Sequence, residues 1–222
     1  MILYKKSIVI LLSGGLDSST VTGIAKKSEA KVFGISFDYG QRHRKELDSA
    51  SIVAKHFNIE DFKIIKLDLS SWGGSSLTDT KKIIPTNGIQ KNIIPSTYVP
   101  GRNTIFISVA LSYAEAINAD FIGLGVNSLD YSGYPDCRPD YIKKFQELAD
   151  LANKRGRENN SIKLWTPLIN LNKERIFQLA FENNVPLDKT WSCYSGNAEP
   201  CGRCDSCRIR DIAYKNWINR KN

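Results

Sequence analysis

Short apolar runs alternate with helix-patterned stretches along the first part of the chain. Residues 7–12 (SIVILL), 31–37 (KVFGISF), 61–69 (DFKIIKLDL) and 120–126 (DFIGLGV) are rich in β-branched and aromatic residues and predict strands. Between them, 18–28, 42–57 and 102–119 carry their apolar residues at helical spacing. Strands that are apolar almost throughout are buried on both faces, and their alternation with helices places them in a parallel sheet. The expected fold class is therefore α/β, a Rossmann-like parallel sheet with helices on both faces. Ligands of such sheets bind at the carboxyl ends of the strands. That rule singles out the loops SGGLDSS (13–19), DYGQRHRKE (38–46), the stretch 70–101 and NSLDYSGYPDCRPD (127–140).

Farther along, the pattern predicts a helix over 139–155, an extended piece at 162–168, and a helix over 172–183 opened by Asn172 and closed before Pro186. A last helix follows at 208–219. The stretch 70–101 is rich in Gly, Ser, Thr and Pro, and a loop of that length in a compact domain is expected to act as a lid or partly mobile segment. With 222 residues there is room for one buried core and a small appended module, so residues 1–185 are expected to form the main domain and 186–222 a C-terminal subdomain.

Composition narrows the classes. Apolar residues make up 41% and charged residues 24%, ordinary globular usage that argues against disorder. The N-terminal apolar run is too short to span a bilayer and lacks a cleavage site, which points to a cytoplasmic chain without a membrane partner. The net charge of +8 and pI near 9.2 fit nucleotide phosphates, RNA or simply a basic surface.

The loop SGGLDSS carries the first chemistry. Between a strand and a helix it directs backbone N–H groups at the helix start, where the dipole favours an anion. Gly14 and Gly15 permit positive φ and close backbone approach, and Ser13, Ser18 and Ser19 add hydroxyl donors. Two features do not fit a Walker A loop: its lysine is missing, and Asp17 would repel phosphate unless a metal or the helix start offsets it. In DYGQRHR, Arg42 or Arg44 suits phosphate and His43 an oxyanion or a proton transfer, against the alternative of a solvated helix face. In PGRN, Arg102 offers a planar fork for carboxylate or phosphate. In the loop 127–140, Asp130 and Asp136 suit the N–H groups of a heterocycle, Tyr131 or Tyr134 a stacked ring, and Arg138 a phosphate or carboxylate. An Asx and proline turn would use the same residue types. Cys137 is expected to pack rather than react.

Four of the five cysteines crowd together as Cys193, Cys201, Cys204 and Cys207. Four thiolates at this spacing suit one tetrahedral Zn²⁺ per chain in a closed, structural site, with Arg203, Arg208 and Arg210 offsetting the charge. An iron–sulfur cluster is the competing assignment.

The string Ser-Gly-Gly-x-Asp-Ser in its strand-to-helix setting resembles the pyrophosphate loop of the N-type ATP pyrophosphatases, also called PP-loop proteins. That superfamily cleaves ATP between the α and β phosphates and adenylates a carbonyl or amide oxygen, which would account for the missing lysine. FDYGQRHRKEL (37–47), VPGRNTIFISVA (99–110), GVNSLDYSGYPDCRPDYI (125–142) and TWSCYSGNAEPCGRCDSCRIR (190–210) are similar to the 7-cyano-7-deazaguanine synthase family of queuosine biosynthesis.

The resemblance implies an adenine nucleotide hydrolase-like fold with a C-terminal zinc-binding subdomain. It also implies conversion of 7-carboxy-7-deazaguanine and ammonia to the nitrile through two adenylations, with ATP as substrate and Mg²⁺ bridging its phosphates. ATP would be held by Leu12, Ser13, Gly14, Gly15, Leu16, Asp17, Ser18, Ser19, Thr20, Val21 and Thr22, with Arg42 and His43. Catalysis would fall to Asp17, Arg102, Asp130 and Arg138, and zinc to the four cysteines. A homodimer acting on small molecules, with no nucleic acid bound directly, completes the expectation. The rival readings are a PP-loop tRNA thiolase and a zinc-ribbon-like binding module.

Overall fold

The structure, a computed structural model, describes residues 2–86, 88, 93–127 and 133–220. Five strands, β1 (Ser7–Leu11), β2 (Lys31–Asp38), β3 (Asp61–Lys66), β4 (Phe121–Gly123) and β5 (Lys163–Trp165), form one sheet in the order β3-β2-β1-β4-β5. All of its pairings are parallel. The helices are α1 (Leu16–Lys27), α2 (Lys45–His56), α3 (Arg102–Ala116), α4 (Pro139–Ala152), α5 (Lys154–Arg157), α6 (Lys173–Glu182) and α7 (Asp205–Asn219).

Side chains of a strand alternate between faces, and the two cores follow that alternation. Ile8 and Ile10 of β1 face one core with Val21 of α1, Val53 of α2, Ile176 and Phe177 of α6 and Ala213 of α7. Val9 faces the other, with Ile107 and Leu111 of α3 and Phe145 of α4. The sheet is thus covered on both faces, as the unbroken apolar strands predict. C-terminal α7 is tied to the main core through Ala213 and through Trp217, whose ring stacks on Phe177 at 6.1 Å.

Helix ends follow local chemistry. Helix α1 has Asp17 in its first turn and Lys26 and Lys27 in its last, matching the macrodipole at both ends. Asn172 caps α6 by accepting from Arg175 N–H at 2.9 Å, and Pro139 opens α4. Helix α2 begins at residue 45 rather than 42, because Gln41 and His43 turn inward and are buried.

Part of 70–101 is packed onto the domain, while Trp72 and Ile83 are exposed. Leu77 and Val99 join the second core, and Ser76 N–H bonds Ser96 O at 2.7 Å. Among the described residues no helix is long and apolar enough to cross a membrane.

Candidate active site

The strand order reverses direction between β1 and β4, and the loops leaving these neighbours diverge there to open a crevice. A cavity of about 330 Å³ lies at these carboxyl ends. Its walls come from 11–18, the end of β2, His43 and Glu46, the start of α3, residues 124–127, Lys173, and the C-terminal segment.

The loop after β1 is held by its own serines. Ser18 Oγ accepts from Ser13 N–H at 3.1 Å and lies 3.0 Å from Ser13 Oγ. Gly14 has φ +77, and an added Cβ would sit 2.3 Å from Glu46 O, so α2 packs directly against the loop. At Gly125 a Cβ would stand 2.8 Å from Ser18 N, so the end of β4 supports the loop from the other side. This close packing fixes the start of α1 and its N–H groups toward the cavity end of the sheet.

Asp17 has a partner that local sequence does not reveal. Lys173 Nζ donates to both of its carboxylate oxygens, at 2.8 and 3.0 Å, from the first residue of α6. A lysine absent from the loop thus comes from a distant helix, and it offsets the carboxylate at the start of α1.

The expected ATP residues divide by position. Leu12, Ser13, Gly15, Leu16, Asp17, Ser18 and His43 line the cavity. Thr20 and Thr22 bond back to Leu16 O and Ser18 O within α1, Val21 is core, and Ser19 Oγ is buried without a hydrogen-bond partner. Arg42 is turned away from the cavity, with Nη2 donating to Asp79 O and, at 2.8 Å, to Lys82 O. It thereby ties the 70–101 segment down.

His43 lies against Glu46, Nε2 to Oε2 3.0 Å, while Gln41 donates to the other carboxylate oxygen at 2.9 Å. Arg102 lines the cavity and donates to Tyr39 OH at 3.1 Å.

In the loop 127–140, Tyr134 and Cys137 reach the cavity wall. Arg138 is exposed and outside that wall. Asp136 is buried beneath α3, where Oδ2 accepts from Asn103 N–H at 3.0 Å, so it caps the helix. Burial pushes the Asp136 carboxyl above its ordinary value. Burial, with the nearby Asp136 charge, pushes the Cys137 thiol up to about 12, which leaves it protonated and a poor nucleophile. Asp130 and Tyr131 lie outside the described residues.

The four thiols of Cys193, Cys201, Cys204 and Cys207 lie within 4.8 Å of one another, and none is in a disulfide. Four sulfurs at roughly 2.3 Å from one tetrahedral ion would stand about 3.8 Å apart. The set therefore fits a single metal ion such as zinc. Cys201 N–H donates to Cys193 Sγ at 3.2 Å and Cys204 N–H to Cys201 Sγ at 3.4 Å, which favours thiolate ligands.

Sequence reasoning did not anticipate Lys173, Glu46, Asn103, Ser192 or Arg210 at the cavity. Local sequence marks Lys173 and Asn103 only as polar residues at helix starts and Arg210 only as a charge near the thiolates.

A parallel sheet with a serine-glycine loop at its switch point, beside a four-cysteine cluster that fits a metal ion, is the arrangement of the PP-loop fold. The solved structure of NMN synthetase from Francisella tularensis shares this fold, with a TM-score of 0.51 and 15% identity over 99% of this chain and 86% of that one. A family model described as "Queuosine biosynthesis protein QueC" matches residues 7–218, and the chain belongs to that family. Among its relatives, a protein named 7-cyano-7-deazaguanine synthase from Prochlorococcus marinus strain MIT 9312 is 82% identical over 222 residues, covering 100% of this chain and 99% of that one. One of the same name from strain NATL2A is 60% identical over 213 residues, covering 96% and 95%.

Proposed function

We propose that the chain is an ATP-dependent ligase that makes 7-cyano-7-deazaguanine from 7-carboxy-7-deazaguanine and ammonia. The observation that carries this reading is family membership along nearly the whole chain, joined to a cavity floored by the pyrophosphate-type loop. A carboxylate is a poor electrophile. Its oxygen attacks the α phosphorus of ATP, pyrophosphate leaves, and the acyl adenylate then loses AMP to ammonia to give the amide. The amide oxygen is adenylated in turn. Loss of AMP with an N–H proton gives the nitrile.

Ser13, Gly15 and Ser18 with Lys173 suit the leaving pyrophosphate, and Arg102 suits the substrate carboxylate or the AMP phosphate. Both oxygens of Asp17 are on Lys173, and Mg²⁺ would be brought in by the phosphates of ATP, whose charge it would offset. Asp130 and Arg138 are retained as substrate contacts on the resemblance alone. The four cysteines would hold zinc as a structural ion. Free thiols fit a reducing cytoplasm, and a homodimer would show in light scattering as twice the chain mass. Incubation with the carboxylated substrate, ammonia and ATP should yield the nitrile by mass together with AMP and pyrophosphate. Absence of AMP release would refute the reading.

A further inference from the structure

Arg210 is one turn beyond Cys207 on α7 and lines the same cavity as Ser13, Gly15, Asp17 and Lys173. Its guanidinium is held in place on two sides. Nη1 donates to Ser192 Oγ at 3.1 Å and Nη2 to Leu187 O at 2.8 Å, while Phe177 lies under it at 5.9 Å. Among the described residues it makes no ion pair with a carboxylate; Asp17 and Asp211 act on it only at longer range. Burial holds its pKa below the ordinary arginine value. A guanidinium fixed and desolvated in this way, without a counter-ion, is a seat for an anion. The segment that carries it is docked on the loop itself, since Trp191 N–H donates to Gly14 O at 2.9 Å and Ser192 follows on the cavity wall.

We propose that Arg210, steadied by Ser192, is a ligand for the pyrophosphate portion of ATP, contributed by the cysteine-bearing C-terminal segment. The inference deepens the ligase reading and rests on it. Lys173 is largely committed to Asp17, so a second cation is needed opposite the charge of pyrophosphate, and Arg210 retains donors on Nε and on both terminal nitrogens. The cysteine site thereby gains a second consequence: Cys204 is the N-cap residue of α7 and Cys207 precedes Arg210 by three residues, so a metal held there would fix where the guanidinium stands. The arginine is then part of the nucleotide site rather than a counter-charge to the thiolates.

The test uses the full, zinc-loaded chain and calorimetric binding of inorganic pyrophosphate, ATP and AMP. Arg210→Gln should weaken pyrophosphate and ATP roughly 10- to 100-fold and leave AMP within about twofold. Metal content and the ligand-free melting point should not change. Lys215→Gln, an equal loss of charge on an exposed position of the same helix, should leave all three affinities alone. Ser192→Ala, a smaller change, should weaken pyrophosphate a few-fold, and it decides the matter if Arg210→Gln fails to fold. Unchanged pyrophosphate affinity in the folded variant, or an AMP loss equal to the ATP loss, would overturn the proposal. A wild-type chain that still forms the nitrile would in that case leave the ligase reading standing.

Discussion

Replacing Lys173 with methionine keeps most of the side-chain volume and removes the charge that sits 2.8 Å from Asp17. Both side chains are partly withdrawn from water, 17% exposed for the lysine and 24% for the aspartate. Two unit charges about 4 Å apart interact by about 1 kcal/mol in water and about 4 kcal/mol at the effective dielectric of a protein surface. At this exposure an intermediate value of roughly 3 kcal/mol is appropriate. The variant loses the attraction of the lysine for phosphate and leaves the Asp17 carboxylate repelling it. ATP affinity should therefore fall about 100-fold. The double variant Asp17→Asn, Lys173→Met removes the repelling carboxylate as well and should recover about tenfold over Lys173→Met alone. The assay is the ATP dependence of AMP release, with calorimetric ATP binding alongside. Lys173→Met with an ATP affinity within about twofold of wild type would refute the reasoning. Full ATP-dependent turnover in Asp17→Asn would remove Asp17 from the account.

Cys204→Ser should lower soluble yield and metal content together, because the four thiols are placed to hold one ion and a structural metal would contribute directly to folding. A stable, metal-free and fully active variant would contradict this. Cys137→Ala should keep turnover within about threefold. At pH 7.5 the wild-type Cys137 thiol, pushed up to about 12, should resist iodoacetamide, as peptide mapping by mass would show. Rapid alkylation at Cys137 with loss of activity would restore a nucleophilic role for it.

The elements of this fold were legible because its central strands, β1, β2 and β4, are buried on both faces. That burial leaves apolar runs such as SIVILL between helices, and each run lies within a residue or a few of a strand. Strand 120–126 was overestimated, since the strand covers only 121–123 and residues 124–126 line the cavity. The serine-glycine loop and the cysteine array were legible for a different reason: each is a local motif whose parts stand close in sequence. Asp17 could not be understood locally, because its partner Lys173 is 156 residues away. Arg210 was legible only as a charge near the thiolates, since its place in the cavity depends on how α7 docks on α6. Arg42 and Asp136 have the residue types of a ligand site and here bond the backbone, one donating to Asp79 O and Lys82 O, the other accepting from Asn103 N–H at the start of α3. A charged side chain in a loop satisfies backbone groups as readily as ligands, and sequence does not separate the two.

The central claim is that one cavity adenylates the same carbon's two oxygens in succession. The most direct measurement starts from 7-carboxy-7-deazaguanine labelled with oxygen-18 at both carboxylate oxygens, in unlabelled water, with ammonia and ATP. Each adenylation should move one labelled oxygen into one AMP. The account predicts two AMP and two pyrophosphate per nitrile, with each AMP carrying a single oxygen-18. Label in pyrophosphate or water, or ADP in place of AMP, would contradict it.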